Sequence, residues 1–223
     1  MIKIFNLVAT DSGVTNNGAI STTGTPLTTG NLDVTSWNGT STKYINVDGY
    51  YVFSLDRTVE RKKNDSWTMA FWMYQKSNYS GNYSMLSWDS NNATRHRSIQ
   101  VADQSNDDSN TVGMRTTSNF LGLKAKQKTT LNKWTHVAVC SVNGVVSLYI
   151  DGVKQGESNV TRDEEITSPS VGYYNMSNTY FDDIVMVHGK ALFTGDFTPS
   201  TVPLLDSKIL IIGEDKKVYK VVV

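Results

Sequence analysis

The stretch NKWTHVAVCSVNGVVSLYIDGVKQGE, Asn132 to Glu157, contains two turn dipeptides, Asn143-Gly144 and Asp151-Gly152, set eight residues apart. Asn-Gly and Asp-Gly accept the positive φ angles that two-residue hairpin turns require. The segment therefore predicts a meander, with one strand over Trp134–Val142, a return over Val145–Ile150 and a third strand through Val153–Gln155. Side chains alternate faces along a strand. That puts Val137 and Val139 on one face and Trp134, His136, Ala138 and Cys140 on the other.

The same alternation recurs in WTMAFWMY, Trp67 to Tyr74, where Trp67, Met69, Phe71 and Met73 oppose Thr68, Ala70, Trp72 and Tyr74. Such a strand is wetted on neither side unless its second face lines a cleft or a partner. Helical periodicity is scarcely visible, because Gly, Asn, Asp and Ser interrupt the chain too often for long amphipathic stripes. Polar segments at Asp11–Gly30, Ser77–Tyr83, Asp103–Asn110 and Ser158–Ser168 read as loops, with a turn of helix at Asp163-Glu164-Glu165. Many short strands without βαβ alternation predict an all-β fold, an antiparallel β-sandwich (jelly roll) of two sheets.

Composition narrows the function classes. Lys plus Arg and Asp plus Glu number 21 each, so no global field recruits nucleic acid. Arg61-Lys62-Lys63 and Lys124, Lys126 and Lys128 read as solvated faces. Cys140, the single cysteine, lies in an apolar strand and reads as a small buried hydrophobe. No apolar run is long enough to cross a bilayer, and MIKIFNLVATDSG carries no basic leader. The expectation is a protein made in a cytosol, without membrane partners.

Beyond Pro199 and Pro203, SKILIIGEDKKVYKVVV reads as a hairpin turning at Gly213-Glu214-Asp215-Lys216. Its aliphatics are too many for one buried face, each being worth roughly 1.5–3 kcal/mol when buried. Residues 1–202 are read as the sandwich domain and 203–223 as an appended docking segment, with Ile209, Ile211, Val218, Val221 and Val223 meeting a partner. The alternative is that these are simply the last two strands of the sandwich.

Four segments together resemble the laminin G-like, concanavalin A-like jelly-roll superfamily. They are SWNGTSTKYINVDG (Ser36–Gly49), similar to a Phe-Asp-Gly turn and strand; SWTMAFWMY, with its Phe71-Trp72 pair; the Trp-x-His-Val-Ala strand and Leu-Tyr-x-Asp-Gly hairpin of Lys133–Gly156; and YFDDIVMVHGKALFTGDF (Tyr180–Phe197), with an Asp-Asp strand and an Ala-Leu element. The resemblance spans roughly residues 10 to 200. It implies two curved sheets, the concave one often carrying a ligand groove, and no particular activity.

Retaining glycosidases need two carboxylates about 5–5.5 Å apart, which related glucanases supply as Glu-x-Asp-x-Glu on one strand. None of Glu60, Glu157, Glu164, Glu165 and Glu214 lies in such an alternation. His96, His136 and His188 sit in no Gly-x-Ser-x-Gly context and at no zinc-binding spacing. The chain is therefore read as a non-enzyme. The resemblance further implies a structural calcium, tied by the carboxylate of Asp182 and a carbonyl at Gly39; here the early motif is Trp37-Asn38-Gly39, and an aspartate that only hydrogen-bonds the turn is the alternative.

A glycan surface is the remaining candidate, with Trp72, Tyr74 and Trp88 offering flat rings and Arg97 or His136 hydrogen-bonding hydroxyls, although aromatics on strands are more often core or interface and His136 reads as packing beside the Trp. The expectation is a bacteriophage virion structural protein of fibre, collar or head-decoration type, assembled in the host cytoplasm. It would contact other virion proteins or copies of itself, with a cell-surface glycan as a further partner. A carbohydrate-binding lectin or adhesin domain of a bacterial protein is the alternative.

Overall fold

The computed structural model describes residues 3–17, 21–24, 28–46, 51–54, 59–78, 83–87, 98–101, 110–115, 121–159, 164–166, 170–171, 178–204, 210–212 and 218–220. Among the described residues there are twenty strands and no helix. In chain order they are β1 (Lys3–Thr10), β2 (Gly13–Asn17), β3 (Ser21–Gly24), β4 (Thr28–Asn31), β5 (Lys43–Asn46), β6 (Tyr51–Ser54), β7 (Val59–Arg61), β8 (Trp67–Gln75), β9 (Tyr83–Ser87) and β10 (Ser98–Val101). They continue as β11 (Thr111–Arg115), β12 (Leu121–Lys128), β13 (Trp134–Val142), β14 (Val145–Ile150), β15 (Val153–Asn159), β16 (Glu164–Ile166), β17 (Ser170–Val171), β18 (Thr179–His188), β19 (Leu210–Ile212) and β20 (Val218–Lys220).

Two antiparallel sheets make the jelly roll. The first runs β15-β14-β13-β8-β18-β1-β2, with β5 also on β18 and β4 on β5; the second runs β12-β11-β10-β9-β17-β6-β3. Their facing sides form one apolar interior. Met69, Phe71 and Met73 of β8, Val137 and Val139 of β13, and Leu148 and Ile150 of β14 meet Leu86, Ile99, Val112, Met114 and Leu123 of the second sheet, all buried. Where the outermost strands of the two sheets come together, the Gln127 N–H of β12 donates to Gln155 Oε1 of β15 at 3.0 Å.

The meander forms as its turns dictate. Asn143, Gly144, Asp151 and Gly152 all take positive φ, between 48° and 82°, and β13, β14 and β15 pair in sequence. The third strand reaches Asn159, beyond the Gln155 expected from sequence, because β14 supplies backbone partners along its whole length.

Two expectations are corrected. The Asp11–Gly30 segment contains β2, β3 and β4, whose polar side chains hid strands that pair with β1, β6 and β5. Of the expected turn of helix at Asp163-Glu164-Glu165, Asp163 lies outside the described residues, and Glu164–Ile166 runs extended as β16 and satisfies its backbone against β7, with Glu164 opposite Arg61. The second face of β8 is covered by the chain itself. Ala70, Ala138, Cys140 and Tyr149 pack there under Ala191, Phe193, Phe197 and Leu204 of a strap spanning residues 189–204.

β19 and β20 pair antiparallel, Ile211 opposite Tyr219, as a two-stranded sheet of their own. Ile211 and Val218 lie on these strands; Ile209, Val221 and Val223, and the turn between the strands, are outside the described residues.

Candidate functional site

Register turns the outer face of the first sheet into a grid. Trp134 of β13, Tyr74 of β8 and Tyr180 of β18 stand side by side, and the next row is His136, Trp72 and Asp182. The following rows shrink to Ala138, Ala70 and Val185, then Cys140, Thr68 and Val187. Small side chains give the strap room to lie flat. Large ones at the other end make an aromatic shelf.

The strap is pinned along its length. The Leu192 N–H donates to Thr68 Oγ1 at 2.8 Å, the Phe197 N–H to the Gly152 carbonyl at 3.0 Å, and the Leu204 N–H to Asp183 Oδ2 at 3.1 Å. Phe193 and Phe197 stack with centroids 3.7 Å apart and meet the His136 ring in T-shaped contacts. Gly152 serves two purposes. Its φ of +80° turns the hairpin, and a Cβ there would overlap the Phe197 carbonyl oxygen.

A second segment, residues 32–42, folds over the aromatic rows. Asn38 Oδ1 accepts from Ser36 Oγ, Thr40 N and Ser41 N, each at 3.0 Å, which fixes a tight turn, and Gly39 completes it with φ +71°. This turn presents Trp37, whose ring stacks on Trp72 at 5.0 Å and 15°. Thr35 accepts the Trp134 indole N–H at 2.7 Å on its carbonyl. Tyr44 of β5 lies on Tyr180, centroids 3.9 Å apart, in space left open by Gly30, where a Cβ would overlap the Tyr44 ring.

β18 bends in the middle of this face. A bulge between Asp182 and Val185 puts Asp183 in the left-handed region, φ 45°, which Asp tolerates better than most residues. On one side of the bulge β18 pairs with β5, and on the other with β1. Asp182 fills the gap. Its Oδ1 accepts from Ala9 N at 3.0 Å and Asp183 N at 2.8 Å, and its Oδ2 accepts the Trp37 indole N–H at 3.0 Å. Burial pushes the Asp182 carboxyl above the usual carboxylate range, against the pull of these three donors.

That geometry bears on the calcium expectation. A cation approaching Asp182 would meet three N–H groups already aimed at its two oxygens, so this carboxylate does not fit the oxygen-rich shell calcium takes. Among the described residues no three His, Cys, Asp or Glu side chains cluster as a metal site.

Of the expected glycan residues, Trp72, Tyr74 and His136 do come together, while Trp88 and Arg97 lie outside the described residues. His136 offers nothing to a ligand. It is 3% exposed, its Nδ1 has no partner, and burial lowers its pKa to about 3. Tyr74 is buried between Trp134 and Tyr180. Beyond the strap's Phe193 and Phe197, the part-exposed rings at the aromatic rows are Trp37, Trp72, Trp134 and Tyr44.

Polar groups rim the shelf. Tyr180 Oη donates to Asp33 Oδ1 at 2.7 Å, and Lys76 Nζ donates to Asp33 Oδ2 at 3.0 Å and to Tyr180 Oη at 2.9 Å. The Tyr180 hydroxyl, then the Lys76 ammonium, hold the Asp33 carboxyl below its ordinary value. Lys76 is correspondingly raised. Sequence reading missed Trp37, Tyr44, Asp33, Lys76 and Tyr180, because they gather from four separate segments. Trp134 alone was signalled, by sharing the parity of His136.

The fold defines a jelly roll of two antiparallel sheets with a strapped outer face. Residues 47–194 match the laminin G-like family described as the Concanavalin A-like lectin/glucanases superfamily, and the chain belongs to that family. No curated protein matches it. Among solved structures it is similar to the binding domain of Paraclostridial Mosquitocidal Protein 1, with TM-score 0.60 and 14% identity over 84% of this chain and 49% of that one. It is also similar to domain 4 of AbnA, a GH43 extracellular arabinanase from Geobacillus stearothermophilus, in complex with arabinotriose, with TM-score 0.54 and 13% identity over 86% and 94% of the two chains. A third is the binding domain of Botulinum Neurotoxin DC in complex with SialylT, with TM-score 0.56 and 13% identity over 84% and 48%. At these identities the likeness is one of fold. The chain spans about half the length of the two toxin domains and nearly all of the arabinanase domain.

Proposed function

We propose that this protein is a non-catalytic carbohydrate-binding module that seats a glycan on the aromatic shelf of its first sheet. The observation that carries the reading is the set of part-exposed rings, Trp37 on Trp72 with Trp134 beside them, bordered by the Asp33–Tyr180–Lys76 cluster. Flat rings cover the C–H faces of sugars while polar groups at the rim order the hydroxyls. The glycan-bound arabinanase and neurotoxin domains add support at the level of fold. The two buried acids of β18 are structural in character, since Asp182 and Asp183 hold backbone and indole N–H groups.

The test is retention on a glycan array by the full chain and by Trp134→Ala and Trp37→Ala. Retention that both variants lose, with melting temperatures showing that they remain folded, supports the module. No retention by the wild-type chain, or retention indifferent to both changes, overturns it.

A second reading concerns where such a module works. It is a bacteriophage virion component that docks through residues 203–223 on other virion proteins or on copies of itself. The pairing of β19 with β20 in a sheet separate from the sandwich supports a docking element. Sedimentation of the full chain beside a chain ending at Leu205 tests it, with a multimer that dissociates on truncation as the expected result. The same number of chains per particle before and after truncation would count against it.

A further inference from the structure

The charges that border the shelf select among glycans. Resting on the carbohydrate reading above, we infer that the ligand is a neutral, hydroxyl-rich oligosaccharide, and that the Asp33–Lys76 pair discriminates against anionic sugars.

Lys76 is committed on three sides, to Asp33 Oδ2, to Tyr180 Oη and over the Tyr180 ring, with its Nζ 5.1 Å from the centroid. Lys133, next to Trp134 in sequence, pairs with Asp151 at 3.6 Å. Lys43 adjoins Tyr44 in β5 but takes the opposite side of the strand, where it bonds Asn31. An incoming carboxylate or sulfate would therefore find Lys76 and Lys133 already paired with carboxylates, and Lys43 turned away from the shelf.

Asp33 presents the opposite sign. Its side chain is 59% exposed, with one bond on each oxygen from Tyr180 and Lys76. A carboxylate accepts about four hydrogen bonds in all, so Asp33 keeps outward lone pairs suited to sugar hydroxyls, which donate. An anionic sugar in the same place meets like charge at Asp33, a penalty of about fivefold in affinity at the dielectric of bulk water and more near the protein surface, offset in part by Lys76 at 3.0 Å. Relief would require pulling Lys76 away from its partners.

The experiment is frontal affinity chromatography of the full chain on neutral arabino-, galacto- and gluco-oligosaccharides and on uronic-acid, sulfated and sialylated counterparts. The same columns are run with Asp33→Ala, and with Asp33→Asn as the variant that keeps the side chain's size. The expected result is at least tenfold tighter retention of a neutral series by the wild-type chain. Both variants free Lys76, so both should narrow or reverse that preference, with weaker retention of neutral sugars. Tighter retention of anionic sugars by the wild-type chain would overturn the inference while leaving the module a carbohydrate binder. A preference unchanged in both variants would overturn it too. No retention of any sugar would remove the carbohydrate reading itself.

Discussion

The indole N–H of Trp37 donates to Oδ2 of Asp182 at 3.0 Å, a bond between residues 145 positions apart. It fastens the 32–42 segment to the bulge of β18, at the point where that strand exchanges β5 for β1 as its neighbour. In the motif that this early turn resembles, phenylalanine stands where Trp37 does. The tryptophan keeps the ring and adds a donor aimed at a buried carboxylate.

Trp37→Phe should keep the stack on Trp72 and remove the donor. Leaving that oxygen of Asp182 buried and short of a partner is expected to cost about 1–3 kcal/mol in urea unfolding. In an Asp182→Asn background the same change should cost less, giving a coupling of about 1 kcal/mol. The pH dependence follows from the raised Asp182 pKa. Its contribution to stability is full below the ordinary value of 3.8 and is lost as pH rises through the folded value. Trp37→Phe should deepen that loss, and parallel pH profiles of the two proteins would argue against the bond.

Calcium should leave the melting temperature unchanged, and so should a chelator. The reason is the set of three N–H donors already on Asp182. A thermal shift that saturates with added calcium would show that these donors give way.

Gly152→Ala should be among the most damaging single changes. It forces a side chain into φ +80° and against the Phe197 carbonyl, so a loss of about 3 kcal/mol or more is expected. Gly39→Ala supplies the comparison. With φ +71° but no atom within 4 Å of the added carbon, it should cost only about 1 kcal/mol of backbone strain. Amide exchange at Leu192 and Leu204 should quicken in the first variant and not in the second.

His136 should make the fold acid-sensitive. Its folded pKa, about 3, lies below the ordinary 6.5, so between these values the unfolded chain binds a proton that the folded one refuses. Stability should fall as pH drops from 6.5, with a slope approaching about 1.4 kcal/mol per pH unit. Replacing His136 by Phe should flatten the profile between pH 6.5 and 4.5. An unchanged slope would place the acid sensitivity elsewhere.

What the sequence disclosed was local. Asn143-Gly144 and Asp151-Gly152 announced their hairpins, and parity sorted Met69 from Ala70 and Val137 from Ala138. It also showed that both faces of β8 had to be dry. It did not disclose what dries the second face, because the strap and the 32–42 turn have no periodicity and hold on through backbone bonds to Thr68, Gly152 and Asp183. Nor could it show that His136, Trp72 and Asp182 form one row, since that depends on register between strands far apart in sequence. Polar strands such as β2, β3 and β4 were unreadable for a related reason: the hydrogen-bonding neighbour, not the side chain, makes them strands.

β18 sits between β8 and β1, so the amino-terminal strand has no neighbour on that edge until the chain has been synthesised to about residue 188. Contacts of such long sequence separation favour slow, all-or-none folding. A nascent chain stopped before β18 would hold the two halves of the first sheet apart, with β8 presenting an unpaired edge. Ribosome-bound fragments should accordingly stay protease-sensitive throughout until β18 and the strap emerge, and then become resistant together.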